Sequence, residues 1–141
     1  MFEVTKEFSF ESAHCLSFHK KLCKNLHGHS YKLFVTVGRQ ELNNEDMVMD
    51  FSLLKQIVNE VVVEKYDHAC MININSGDLF EIELKDILIK HNKKIVELPF
   101  YPTAENMAKE FYNKIKERLS NGLILKEIKV YETSTSYAVY R

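Results

Sequence analysis

What this chain has little of narrows its class before any motif is read. Two prolines and four glycines in 141 residues leave no linker, internal repeat or low-complexity stretch, so one domain spanning residues 1–141 is expected. Three cysteines, an odd number without the spacing of a small disulfide framework, point to reduced thiols and a cytoplasmic location. No apolar run approaches the ~20 residues needed to cross a bilayer. The opening "MFEVTKEFSF" carries acids early and has no n-region followed by an h-region, which argues against a signal peptide. Nineteen Lys and Arg against twenty Asp and Glu give a formal net charge of −1. A global basic footprint for nucleic acid is therefore absent. The short runs Lys20, Lys21, Lys24 and Lys93, Lys94 read as solvated surface.

What is present is 45% hydrophobic and 28% charged, the composition of a soluble globular domain. Phe2, Val4, Phe8 and Phe10 share one parity, broken by Lys6, and Glu3, Glu7 and Glu11 share the other. That alternation predicts a half-buried first strand. "HGHSYKLFVTVGRQ" predicts a second, with Tyr31, Leu33, Val35 and Val37 on one face. Phe51, Leu54, Val58, Val61 and Val62 fall at helical spacing behind Asp50 or Ser52 as cap. Residues 66–78 read as a loop, 79–90 as a short helix and "KKIVELPF" as a short strand. A second main helix runs through "YPTAENMAKEFYNKIKERLSNG", capped by Thr103 and closed by Gly122. "LILKEIKVYETSTSYAVY" predicts the last strand, with Ile124, Ile128 and Val130 on one face. The expected architecture is α+β: a four-stranded antiparallel sheet with two main helices on one face. Its open edges invite oligomerisation.

The chemistry concentrates in "SAHC" and "CKNLHGH". His27 and His29, two apart at a strand start, leave the same face, with Gly28 giving room beneath a shared ion. His14 carries the inward parity of Phe8 and Phe10, so a hairpin of the first two strands would bring three imidazoles together. Three neutral imidazoles suit zinc and leave a fourth position open, as in a catalytic site; Cys23 as fourth ligand would close the site into a structural one. The spacing alone leaves both open. Glu132 shares the inward parity of Val130: either the strand ends at Tyr131 and Glu132 is solvated, or its carboxylate is buried and persists because it has something to bind. Asp67 and His68 in "YDHAC" are either a cap and a surface histidine or a proton carrier with its stabilising carboxylate.

"SAH", "CKNLHGHSY", "MVMDFSLLK", "YDHACMIN", "PTAENMA" and "YETSTSYAVY" occur in that order over nearly the whole chain. Together they resemble the family of 6-pyruvoyltetrahydropterin and 6-carboxytetrahydropterin synthases, which has the tunnelling fold (T-fold). The resemblance implies zinc held by His14, His27 and His29, and Cys23 as the proton-abstracting thiol. It further implies Asp67 and His68 as a proton relay and Glu132 as the pterin anchor, with Thr103 and Glu105 near the same pocket. It implies a homohexamer, two stacked trimers closing an oligomeric barrel with shared active sites. The Cys-x-x-x-His-Gly-His form is similar to the bacterial type acting in queuosine (7-deazapurine) biosynthesis. There the small-molecule substrate is 7,8-dihydroneopterin triphosphate, and the products are 6-carboxy-5,6,7,8-tetrahydropterin, acetaldehyde and triphosphate. The pyruvoyl-forming synthase of the same family is the alternative. Cys23 argues against the folate-type relatives, which carry glutamate there, and a non-catalytic zinc module would need a closed site with Cys23 bound. Ile72 stands where the family's motif has asparagine, and Asn73 follows it. Cys15 and Cys70 read as packing cysteines.

Overall fold

The computed structural model describes residues 1–141. Strands β1 (Phe2–His14) and β2 (His27–Arg39) pair antiparallel along their whole length, from Phe2 opposite Arg39 to His14 opposite His27. The alternation in the sequence is the cause: Phe8, Phe10, Ser12 and His14 are buried on one side, and Glu3, Glu7 and Glu11 are exposed on the other. Tyr31, Leu33, Val35 and Val37 of β2 are all buried.

The four-stranded antiparallel sheet expected from the sequence is instead six-stranded and mixed, in the order β4-β3-β1-β2-β5-β6. Strand β3 (Ala69–Asn73) lies inside the segment expected as a loop, and pairs parallel with β1 on one side and with β4 (Ile95–Leu98) on the other. All its residues are buried. A strand covered on both faces loses alternation, which is why its pattern gave no strand signal. The expected single last strand is a hairpin of β5 (Ile124–Thr133) and β6 (Ser136–Tyr140). An irregularity in the β2–β5 register, opposite Thr36 and Val37, resets the parity of β5. Leu125 is thereby buried in place of Ile124, which is 42% exposed.

Helix α1 (Phe51–Val58) starts at Asp50, whose carboxylate accepts from the Ser52 N–H at 2.6 Å. A π-helical turn (Asn59–Val63) carries it into α2 (Glu64–Tyr66), so the three form one rod. Helix α4 (Ala104–Lys116) is capped by Thr103, whose hydroxyl accepts from the Asn106 N–H at 3.3 Å. This rod and α4 supply Leu54, Val58, Val62, Met107, Phe111 and Ile115 to one core with the inward residues of the sheet. Phe10 lies at its centre, stacked on Tyr31 at 5.0 Å and edge-on to Phe111 at 5.9 Å. A third helix, α3 (Leu79–Lys90), packs on β3 and β4 and leaves Leu79, Ile82, Ile87 and Ile89 exposed. No helix is long and apolar enough to cross a membrane.

Candidate active site

The antiparallel register places the end of β1 against the start of β2. His14 is therefore opposite His27, and His29, one alternation further along, is opposite Ser12. The ligating nitrogens of His14, His27 and His29 all lie within 4.8 Å of one another. Burial, opposed in part by the hydrogen bond to Pro102, takes the pKa of His14 down to about 4, so this imidazole is neutral. His14 Nδ1 donates to the Pro102 carbonyl at 2.8 Å, and His27 Nδ1 donates to the Asn25 carbonyl at 2.7 Å. A carbonyl oxygen only accepts, so both rings carry a proton on Nδ1, and a neutral ring held in this way presents a bare Nε2 lone pair. Those two Nε2 atoms stand 3.1 Å apart.

The remaining neighbours add more acceptor character. His29 Nε2 is buried with no hydrogen-bond partner. Burial lowers its pKa, and the Glu132 carboxylate acts the other way. Glu132 Oε1 lies 3.5 Å from His14 Nε2 and 3.7 Å from His29 Nε2. Converging acceptors without a donor repel unless a cation lies among them, and imidazoles fixed by Nδ1–H bonds to carbonyls are the usual arrangement of metal-ligating histidines. The residues fit a divalent metal. The Cys23 sulfur is not part of the convergent set.

Gly28 serves a purpose other than leaving space under an ion. A Cβ built there would meet the Ser12 carbonyl oxygen at 3.2 Å, so the glycine answers to the neighbouring strand. Cys23 itself lies half-buried in a short 3₁₀ turn, Leu22–Lys24, and its carbonyl accepts from the Leu16 N–H at 2.8 Å. Cys15 and Cys70 are buried, as expected of packing thiols, and burial pushes their pKa values up to about 12 and about 11.

Asp67 and His68 form the turn between the α1–α2 rod and β3. His68 has φ +60°, in the left-handed region. Asp67 Oδ2 is 3.0 Å from His68 Nδ1, and its Oδ1 accepts from the Glu11 N–H at 2.8 Å. That backbone N–H is the main cause of a lowered Asp67 pKa, with His68 adding to it. Lys94 closes the turn by donating to the Glu64 and Asp67 carbonyls, both at 2.6 Å. His68 lines a cavity of about 630 Å³ with Gly28, His29, Ser30, Lys93 and Lys94. Thr103, Glu105 and Glu132 line a second, of about 290 Å³, with Tyr137. Cys23 lines neither. The fold thus joins the histidines to Glu132 and gathers Thr103 and Glu105 beside it. Lys94 was not among the expected site residues, because a lysine that binds two backbone carbonyls has no sequence signature. Asn73, the displaced asparagine, is buried and its side-chain oxygen accepts from the Asn75 N–H at 2.9 Å.

The model of the 6-pyruvoyl tetrahydropterin synthase family matches residues 3–141. A 6-carboxy-5,6,7,8-tetrahydropterin synthase of Haemophilus influenzae is 38% identical over 144 residues, covering 100% of this chain and 99% of that one. One of Aquifex aeolicus is 40% identical over 160 residues, covering 99% and 97%. Among solved structures, an uncharacterized protein of Wolinella succinogenes superposes with a TM-score of 0.82 at 22% identity, covering 99% of this chain and 97% of that one. A 6-pyruvoyltetrahydropterin synthase of Plasmodium vivax does so with a TM-score of 0.77 at 20% identity, covering 99% and 96%.

Proposed function

The chain belongs to the 6-pyruvoyl tetrahydropterin synthase family, and from that membership we propose that it is a lyase of the 6-carboxy-5,6,7,8-tetrahydropterin synthase type. The substrate is 7,8-dihydroneopterin triphosphate, and acetaldehyde and triphosphate leave as 6-carboxy-5,6,7,8-tetrahydropterin forms, an early step towards queuosine. The observation that carries the reading is the triplet of imidazole nitrogens converging with Cys23 outside the set. This division of labour suits a site with an open coordination position.

His14, His27 and His29 would hold a zinc ion, which when bound supplies Lewis acidity towards the two hydroxyl oxygens of the substrate side chain. Cys23 acts as the base that takes a proton from carbon. His68, held by Asp67, carries protons to and from the side-chain oxygens. Glu132 accepts from the pterin N3–H and 2-amino group as a paired acceptor, with Thr103 and Glu105 lining the same cavity. His68 lines one cavity of the chain, and Glu132 with Thr103 and Glu105 lines another. That separation favours active sites completed between subunits, in a cytoplasmic homohexamer of two trimers.

Incubation with 7,8-dihydroneopterin triphosphate tests the reading. Acetaldehyde and a 6-carboxypterin support it. A pterin retaining the pyruvoyl chain, with triphosphate lost, would assign the pyruvoyl-forming reaction instead.

A further inference from the structure

Helix α3 buries a single side chain, and that side chain is a carboxylate. Glu81 is 1% exposed, although it lies on a helix with many exposed apolar residues. Its Oε2 accepts from the Ser17 hydroxyl at 2.9 Å, and the Ser17 oxygen is 3.0 Å from the Tyr101 hydroxyl. Its Oε1 is buried with no partner. Taking a carboxylate out of water for so few hydrogen bonds is unfavourable for stability, and an apolar side chain of similar size would suit the fold better. The proposed mechanism makes no use of it.

What Glu81 joins gives it a purpose. Ser17 follows Leu16, whose N–H donates to the Cys23 carbonyl at 2.8 Å and whose carbonyl accepts from the His19 N–H at 2.8 Å. Tyr101 precedes Pro102, whose carbonyl orients His14. The Tyr101 carbonyl in turn accepts from the Thr103 N–H at 2.8 Å and from the Asn106 side chain at 3.0 Å. Phe18 packs edge-on to the Tyr101 ring at 4.6 Å. Glu81 therefore ties the loop that carries the thiol to the segment that orients a histidine of the cluster. Asp78 caps α3 by accepting from the Glu81 N–H at 3.1 Å, which fixes the position of the carboxylate on the helix.

We infer that Glu81 is a positioning residue for the reaction: through Ser17 and Tyr101 it holds the Leu16–Cys23 loop in register with the Pro102–His14 contact. The inference rests on the assignment of Cys23 as the base. It gives helix α3, which bears Glu81, a function in the site. It also accounts for a buried carboxylate that stability alone does not favour.

The test compares Glu81→Leu, Glu81→Gln and Ser17→Ala in the full-length protein, with three readouts. These are the kcat and KM of the proposed reaction, the melting temperature, and the rate of Cys23 alkylation by iodoacetamide read by peptide mass mapping. Mapping separates Cys23 from the buried Cys15 and Cys70. Glu81→Leu keeps or raises the melting temperature, lowers kcat by about 10- to 100-fold with KM changed less than about 2-fold, and raises the Cys23 alkylation rate severalfold. Ser17→Ala has the same effects on kcat and alkylation but lowers the melting temperature, because it leaves the Glu81 carboxylate buried without its donor; combining it with Glu81→Leu adds little to the loss of kcat, since both remove one link. Glu81→Gln, whose amide oxygen still accepts from Ser17, restores kcat. Unchanged alkylation in Glu81→Leu and Ser17→Ala overturns the positioning role. Raised alkylation with unchanged kcat instead overturns the assignment of Cys23 on which the inference rests. A kcat that falls only in step with melting temperature, without rescue by Glu81→Gln, reduces Glu81 to a structural residue and overturns the inference.

Discussion

Nε2 of His14 faces Nε2 of His27 across 3.1 Å, a contact in which two neutral rings that each donate from Nδ1 have no proton to share. Each has committed its Nδ1–H to a carbonyl, of Pro102 and Asn25 respectively. Two bare lone pairs at this distance repel, and a shared cation makes the contact attractive. Adding zinc to metal-free protein should therefore raise the melting temperature with saturation at one ion per chain. His27→Ala should weaken zinc binding by more than about 100-fold, since loss of supporting groups alone costs about 10- to 100-fold. Isothermal titration checks both. Tight binding that survives His27→Ala would place the ion elsewhere.

The site depends on the sheet that presents it. Phe10, buried between Tyr31 and Phe111, lies on the strand that delivers His14. Truncating such a side chain removes its burial and leaves a cavity, so Phe10→Ala should cost about 3–5 kcal/mol. Urea denaturation measures this, and a loss below about 1 kcal/mol would mean the core is not organised around this ring.

Lys94 binds the two carbonyls that end the α1–α2 rod, and so holds the Asp67–His68 turn. Lys94→Met keeps most of the stem and removes the donor. The expected loss is about 1 kcal/mol of stability, together with a fall in kcat larger than any change in KM. A variant with wild-type kcat would show that the turn holds its shape without the lysine.

Asp67 gives a pH signature. Its folded pKa is depressed, chiefly by the Glu11 N–H, so its contribution to stability is present above the ordinary aspartate value of about 3.9 and is lost as pH falls through the lower folded value. Asp67→Asn keeps an acceptor for Glu11 but no charge. The stability gap between wild type and Asp67→Asn should thus be full near about pH 6 and close as pH drops below about 4. Denaturation curves at several pH values measure the gap. A gap that widens on acidification would contradict the sign.

The parity of Phe8, Phe10 and His14 and the spacing of His27 and His29 made the convergence of the imidazoles legible, because a fully paired hairpin converts alternation directly into a shared face. The α4 cap at Thr103, the 79–90 helix and the strand within "KKIVELPF" were legible from local chemistry too. Strand β3 was hidden because burial on both faces erases period two. The β5–β6 hairpin and the reset of parity at Leu125 were hidden because an irregularity in register is a property of two strands, not of one. Glu132 does reach the histidines, as its parity suggested. Glu81 had no readable signal, because its burial follows from where Ser17 and Tyr101 meet α3 rather than from any helical pattern.

The proposed chemistry requires the Cys23 thiol to stand outside the set of histidines that would hold the metal. Metal content and turnover of Cys23→Ala, measured on the same purified sample, test it most directly. The account predicts one zinc per chain, as in wild type, with turnover of 7,8-dihydroneopterin triphosphate lost. Loss of zinc in Cys23→Ala would make the sulfur a fourth ligand of a closed structural site and contradict it.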